Sequence, residues 1–326
     1  MLNVLSLFSG IGAFEKALEN LGIPHNVVAY CEIDKYASKA YSIIHDVPEE
    51  KNLRDVTKVT FYDILDDVDL ITYGFPCQDI SNAGKQKGFT DKNGERTRSG
   101  LFFEALQIID DCRPKFAIAE NVKALTSNKF TEEFKTVLES LEEVGYNNYY
   151  RVLNAKDYGI PQNRERVFII SIRKDIDKGF TFPQPIPLLK TLNDIIESGS
   201  VDRDISLCLT ARYGGILGSQ DYMRRRYLGK SICQLVYENT SREEQMNFYK
   251  QNPYGVFECD GYLRALNERE CFALMGFDPS DADKCRNNGI SVGQLYKQAG
   301  NSIVLNVLEA IYRSLGEKYE EFKPGI

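Results

Sequence analysis

Short apolar runs alternate with longer stretches of helical periodicity through roughly the first 180 residues of this chain. Val4–Phe8, Val27–Cys31, Leu70–Gly74, Phe116–Glu120 and Val167–Ile172 have the density of apolar side chains expected of buried strands. Between them, Gly12–Leu21 sets Phe14, Ala17, Leu18 and Leu21 on one side of a helix. Tyr36–Ile44, Leu101–Ile109 and Glu132–Val144 read as further helices. Alternation of this kind predicts an α/β fold with a mostly parallel, Rossmann-like sheet and helices on both faces. The pattern changes at Phe182-Pro183-Gln184-Pro185-Ile186-Pro187, where prolines at alternate positions make a stiff, extended linker. Beyond it the periodicity is irregular. Order returns in a helix over Leu266–Met275 and a last helix over Ile303–Leu315.

Length and composition narrow the class. The 326 residues suffice for one large core plus a smaller domain. No apolar stretch approaches the about 18 residues of a membrane span, and the first residues lack a basic leader, so a cytoplasmic protein is expected. Eight cysteines without a Cys-x-x-Cys pair, and only His25 and His45, disfavour a zinc site or a disulfide framework. The net charge of −7 argues against nucleic acid as a partner when taken as an average. Locally, however, Arg212, Arg224, Arg225, Arg226 and Lys230 face only Asp221, so this stretch is either a basic binding surface or a solvated loop.

The candidate chemistry sits at strand ends. Gly74-Phe75-Pro76-Cys77 follows an apolar strand and opens onto a polar loop containing Gly84-Lys85-Gln86-Lys87-Gly88. A cysteine at the carboxyl end of a strand, fixed by a preceding proline, occupies a nucleophile's position. Phe8-Ser9-Gly10-Ile11-Gly12 closes the first strand with a turn that brings backbone close to a ligand. A dinucleotide fingerprint would have a third glycine at position 15, where Glu15 discourages a pyrophosphate. Glu32 ends the second strand, where an acidic residue holds ribose hydroxyls. An adenosine-containing ligand without phosphates, such as S-adenosylmethionine, fits both facts, with nicotinamide cofactors as the alternative. Glu120 ends another strand and faces the same crevice as Cys77, or else caps a helix. Arg164 and Arg166 point to one side of an extended segment. Gln298-Ala299-Gly300-Asn301-Ser302 reads as the cap of the last helix.

Taken in order, these motifs resemble the cytosine-5 DNA methyltransferases. The resemblance runs from Phe8-x-Gly10-x-Gly12 through Gly74-Phe75-Pro76-Cys77-Gln78, Glu120-Asn121-Val122, Gln162-x-Arg164-x-Arg166 and Arg264 with Arg269-Glu270-Cys271 to Gly300-Asn301-Ser302. It covers Leu5 to Val307, and only about 185–260 lies outside strong motifs, where this family carries its variable target-recognition region. The resemblance implies a site-specific DNA (cytosine-5-)-methyltransferase with a Rossmann-like S-adenosylmethionine-dependent domain. It implies that Cys77 attacks cytosine C6, Glu120 contacts N3 and the exocyclic amine, Arg166 holds O2 and orients Glu120, and Arg164 favours the thiolate.

The resemblance also implies the cofactor site. Phe8 packs on adenine, Gly10, Ile11 and Gly12 run under the methionine part, Glu32 takes the ribose, and Asp55 accepts from the adenine amine. Ile33 replaces a tryptophan common in the family, and Ala13 replaces a second glycine. Val56, Gly74, Pro76, Leu101, Asn301, Ser302 and Val304 complete the pocket, with no metal. The partner is double-stranded DNA with its cytosine extruded. Gln78, Ser81, Lys85, Lys87, Thr210, Arg212, Tyr213, Arg224, Arg225 and Arg226 are the expected DNA contacts. Residues 1–182 and 298–326 would form the catalytic domain, 183–262 the target-recognition domain, and 263–297 a hinge and return segment. A monomer serving a restriction–modification pair or a phage evading restriction is expected. A catalytically silent DNA-binding relative and a tRNA cytosine-5 methyltransferase are the alternatives.

Overall fold

The computed structural model describes the chain except residues 65, 77–97, 217–219, 225–227, 229–232, 252–259 and 326. It divides into two compact units. The first comprises Met1–Leu153, Glu165–Gln184 and Val307–Ile326, and the second Asn154–Arg164 and Pro185–Asn306. One boundary falls inside the proline-rich segment read as a linker. The second unit takes in residues 263–306 as well as 185–262.

The first unit is built on six strands: β1 Leu2–Leu7, β2 His25–Cys31, β3 Leu70–Tyr73, β4 Phe116–Val122, β5 Tyr146–Asn154 and β6 Glu165–Arg173. Their order across the sheet is β2-β1-β3-β4-β6-β5. The β1–β2, β1–β3 and β3–β4 pairs are parallel, while β4 and β6 run antiparallel. The helices α1 Ala13–Asn20, α2 Lys35–His45, α3 Phe102–Cys112 and α4 Thr131–Glu143 connect the strands.

All four residues of β3 are buried, and β1 is nearly so. Such continuous apolar runs are what a parallel sheet covered on both faces requires. The core runs from Leu5, Ile71 and Ala117 in the strands to Phe102, Ile109 and Val137 in the helices. The chain leaves β1 toward β2 on one side, whereas β3 lies on the other. In an open α/β sheet such a reversal opens a crevice at the carboxyl ends of the strands, where ligands bind.

Two elements depart from the pattern read in the sequence. β5 is an edge strand, and its sequence YNNYYRVLN is half exposed. Its Asn147, Tyr150 and Arg151 positions face solvent, so it lacks the apolar run that marks a central strand. Gln298–Asn301 does not cap the last helix. These residues form the final turn of α9 Val292–Asn301, with Ser302 after it, and the last helix, α10, is Leu305–Gly316. The second unit also contains α5 Gln220–Met223, β7 Val236–Glu238, α6 Arg242–Gln251, β8 Tyr262–Arg264, α7 Glu268–Ala273 and α8 Pro279–Asn287, with β7 and β8 paired antiparallel.

Candidate active site

In the first unit, Glu120 and Arg166 form an ion pair at the rim of the sheet. Arg166 Nε lies 3.0 Å from Glu120 Oε1. The antiparallel register explains it: Arg166 faces Val122 and Phe168 faces Glu120, so Glu120 and Arg166 are diagonal neighbours on one face. Both side chains are mostly buried, at 13% and 19% exposure, so the pair is screened less than a surface bridge.

The end of β3 lies against the same edge. Asn121 Nδ2 donates to the Phe75 carbonyl at 3.1 Å. A Cβ added to Gly74 would stand 3.9 Å from Glu120 Oε2. Gly74 therefore runs beside the Glu120 carboxylate, and the half-buried Pro76 leads directly to Cys77 in sequence. Cys77, Gln78, Ser81, Lys85 and Lys87 lie outside the described residues, as do Arg225 and Arg226.

The turn after β1 and the end of β2 form the second part of the site. Phe8, Gly10 and Gly12 all take positive φ, at 56°, 58° and 79°. For phenylalanine this is a strained conformation, of the kind that clusters at functional sites. A Cβ on Gly10 would meet nothing within 4 Å, whereas one on Gly12 would lie 2.1 Å from His45 Nε2. Only glycine fits at position 12, and the space at Gly10 is open. His45 Nε2 also lies 3.0 Å from the Ile11 carbonyl, so α2 holds the turn from behind.

Glu32 accepts from the Gly10 N–H at 2.8 Å and from the Asp34 N–H at 2.7 Å. The neighbouring Ile33 is 76% exposed. Asp55 accepts from the backbone and hydroxyl of Thr57, which hold its carboxyl below the usual carboxylate range. Val56 is buried beside it, and Leu101 is half-buried against the core. Burial pushes the Cys31 thiol, next to Glu32, up to about 12, which makes it an inert packing cysteine.

Sequence reasoning misplaced Glu15. It does not face a phosphate position. Its side chain is fully buried in the core, with Thr72 Oγ1 at 3.4 Å from Oε1. Burial drives its carboxyl pKa upward against the hydrogen bonds from Ser6 and Thr72. Sequence reasoning also missed Asn52, which ties Glu32 to the segment leading to Asp55. A single polar residue in a charged loop carries no pattern that would have marked it.

In the second unit, Arg164 is 3% exposed, and its guanidinium donates to the carbonyls of Leu209, Gly300 and Ser302 at 2.7, 3.1 and 2.6 Å. Gln162 joins the same anchor, accepting from Leu209 N and donating to the Leu274 carbonyl. A Cβ on Gly300 would stand 2.2 Å from the Thr210 carbonyl carbon, so glycine permits the backbones to touch. The flanking Thr210 and Arg212 remain exposed. Asn301, Ser302 and Val304 belong to this unit.

Two expected DNA contacts are corrected. Tyr213 is buried, its hydroxyl donating to the Gln234 carbonyl and accepting from Leu266 N. Arg224 is buried too, donating from Nε to Gln245 Oε1 at 2.8 Å and lying over the Phe248 ring. Both are interior ties of the second unit. Their aromatic and basic character had suggested a surface role.

The family model for C-5 cytosine-specific DNA methylase matches residues 2–317. The chain belongs to this family. It is a DNA cytosine-5-methyltransferase. It is 32% identical to the type II methyltransferase M.HhaI of Haemophilus parahaemolyticus, over 99% of this chain and 96% of that protein. It is 29% identical to the orphan methyltransferase M.SPRI of Bacillus phage SPR, over 98% of each. Among solved structures it is similar to the Dnmt2 methyltransferase of S. pombe, with a TM-score of 0.68 and 22% identity over 97% of this chain and 98% of that one. That likeness extends to the fold. Among the described residues this methyltransferase has no group of three or more His, Cys, Asp or Glu side chains placed to hold a metal ion. No helix among them is long and apolar enough to cross a membrane.

Proposed function

We propose that this methyltransferase transfers a methyl group from S-adenosylmethionine to C5 of a cytosine extruded from double-stranded DNA, through a covalent bond from Cys77 to C6. The observation that supports it most is the Glu120–Arg166 pair beside Gly74, at the strand end that leads into Cys77.

Cytosine C5 is too weak a nucleophile to take a methyl group unaided. Addition of the Cys77 thiolate to C6 moves an electron pair toward C5, and the ring gains negative charge. Glu120, sharing a proton with N3, neutralises that charge. Arg166 donates to O2 and holds Glu120 by the contact at Nε. After methyl transfer, water or hydroxide takes the C5 proton, the electron pair of that C–H bond re-forms the C5–C6 double bond, and the Cys77 sulfur departs as thiolate.

The described cofactor residues fit an adenosine group. Open space lies at Gly10, and an exposed apolar Ile33 follows Glu32. A carboxylate accepts at about four positions, so holding the Gly10 and Asp34 amides does not prevent Glu32 from accepting ribose hydroxyls. Phe8, Ile11, Gly12, Asp55, Val56, Gly74, Pro76 and Leu101 are the remaining proposed contacts within the first unit. When bound, S-adenosylmethionine supplies a methyl group on a positively charged sulfur. Thr210 and Arg212 are the exposed described residues proposed to meet DNA. The enzyme acts as a monomer and serves either a restriction–modification pair with a separately encoded endonuclease or a phage evading restriction.

The test is expression with a plasmid in a host lacking cytosine methylation, followed by bisulfite sequencing, with Cys77→Ser alongside. Protected cytosines in one short motif, lost in the variant, are expected. Full conversion in both with soluble protein present would favour a silent DNA-binding relative or an RNA substrate.

A further inference from the structure

Asn52 pairs with Tyr30 at the free edge of β2, and Leu53 N donates to the Tyr30 carbonyl at 2.7 Å. Its side chain is buried and makes four hydrogen bonds. Oδ1 accepts from Glu32 N at 3.0 Å and Arg54 N at 2.8 Å. Nδ2 donates to the Glu32 carbonyl at 2.9 Å and to Ser38 Oγ at 2.8 Å. A primary amide has two donor hydrogens and two acceptor lone pairs, so its capacity is filled. The orientation follows from the partners. Two are backbone N–H groups and one is a backbone carbonyl, and a flipped amide would set donor against donor and acceptor against acceptor.

The partners define what this side chain controls. Both backbone polar groups of Glu32 are held by Asn52, while the Glu32 carboxylate carries the Gly10 amide. Arg54, held at φ 65°, directly precedes Asp55. Ser38 brings in α2, its hydroxyl also 3.3 Å from that of Tyr30. One amide thus sets the spacing between the carboxylate proposed for ribose and the carboxylate proposed for the adenine amine.

We propose that Asn52 is the positioning residue of the nucleoside end of the cofactor site. This rests on the reading of Glu32 and Asp55 as cofactor contacts. Asn52 touches neither cofactor nor substrate, and its effect falls on cofactor affinity rather than on the chemical step. Aspartate at this place keeps the two accepted bonds but sets an oxygen against the Glu32 carbonyl. Leucine, of similar size, keeps none of the four.

The test is calorimetric titration of the full-length protein with S-adenosylhomocysteine, together with steady-state kinetics. Asn52→Leu is expected to weaken binding on the order of 10- to 100-fold and to raise KM for S-adenosylmethionine similarly. Its kcat at saturating cofactor and its DNA affinity are expected to stay near wild type. Asn52→Asp should fall between the two, and Ser38→Ala, which leaves three of the four bonds, should lose least. A folded Asn52→Leu protein with unchanged affinity, or with lowered kcat and unchanged KM, would overturn the proposal. If Asn52→Leu does not fold, the same comparison is read from Asn52→Asp and Ser38→Ala, and equal affinity in both overturns it. A wild-type protein that fails to bind S-adenosylhomocysteine overturns the cofactor reading and this proposal together, whereas binding that is indifferent to position 52 overturns the proposal alone.

Discussion

Arg166 Nε stands 3.0 Å from Glu120 Oε1, across an antiparallel register that makes the two residues diagonal neighbours. The contact couples them, so neither can be altered independently. Glu120→Gln is expected to lower kcat by about 10²- to 10⁴-fold, the usual range for a general acid–base group. Arg166→Lys, which lacks the guanidinium fork, should also lower kcat. The double variant should lose less than the product of the single losses. Single-turnover methyl transfer on a defined duplex checks this, and full additivity would mean that the pair does not act as a unit.

Arg164 shares a motif with Arg166 and is anchored to backbone among the described residues. Its guanidinium holds three backbone carbonyls within the second unit. Arg164→Leu strands those carbonyls, each costing about 1–3 kcal/mol when buried without a partner. The expected outcome is a large loss in stability by urea denaturation. Gly300→Ala should behave likewise, because its Cβ would overlap the Thr210 carbonyl.

Glu15 yields a prediction in pH. Its folded-state pKa is raised by burial, so the native protein holds that proton more tightly than the unfolded chain does. The stability it contributes is fully present below the unfolded value near 4.5 and declines as pH rises from there through the raised folded value. Glu15→Gln should therefore match wild type near pH 4 and gain on it at higher pH, by up to about 1.4 kcal/mol per pH unit across that window. Thermal melts of both proteins from pH 4 to 8 check the sign, and a gap that narrows with rising pH would refute it.

Tyr213 and Arg212 are adjacent, and their expected phenotypes separate. Tyr213→Phe removes a hydroxyl that bridges Gln234 and Leu266 in the interior, which should cost about 1–3 kcal/mol of stability. DNA affinity of the folded protein should be retained. Arg212 is exposed, and Arg212→Ala should weaken DNA binding and reduce the salt slope by about 1. Binding isotherms at several salt concentrations distinguish the two.

Legibility from sequence varied with how strongly each residue's environment imprints on its neighbours. The central strands were readable because burial on both faces demands unbroken apolar runs such as Leu70–Tyr73. β5 was not, because one exposed edge tolerates Asn147 and Arg151. The Phe8–Gly12 turn and the strand end before Cys77 were legible because glycine and proline mark backbone geometry locally. Glu15, Tyr213 and Arg224 were misread because a charged or polar residue type predicts exposure, and only packing can bury it with partners distant in sequence.

The order of the central strands, of the helices between them and of the chemical motifs was determined by the sequence alone, since periodicity and turn residues act over a few neighbours. The tertiary structure decided which polar side chains meet one another. Glu120 met Arg166, Asn52 met Glu32 and Arg164 met Gly300 only once segments separated by 20 to 136 positions had packed together. Such pairings depend on distance in space, and hydrogen bonds and ion pairs are short-ranged, so a linear pattern carries little trace of them.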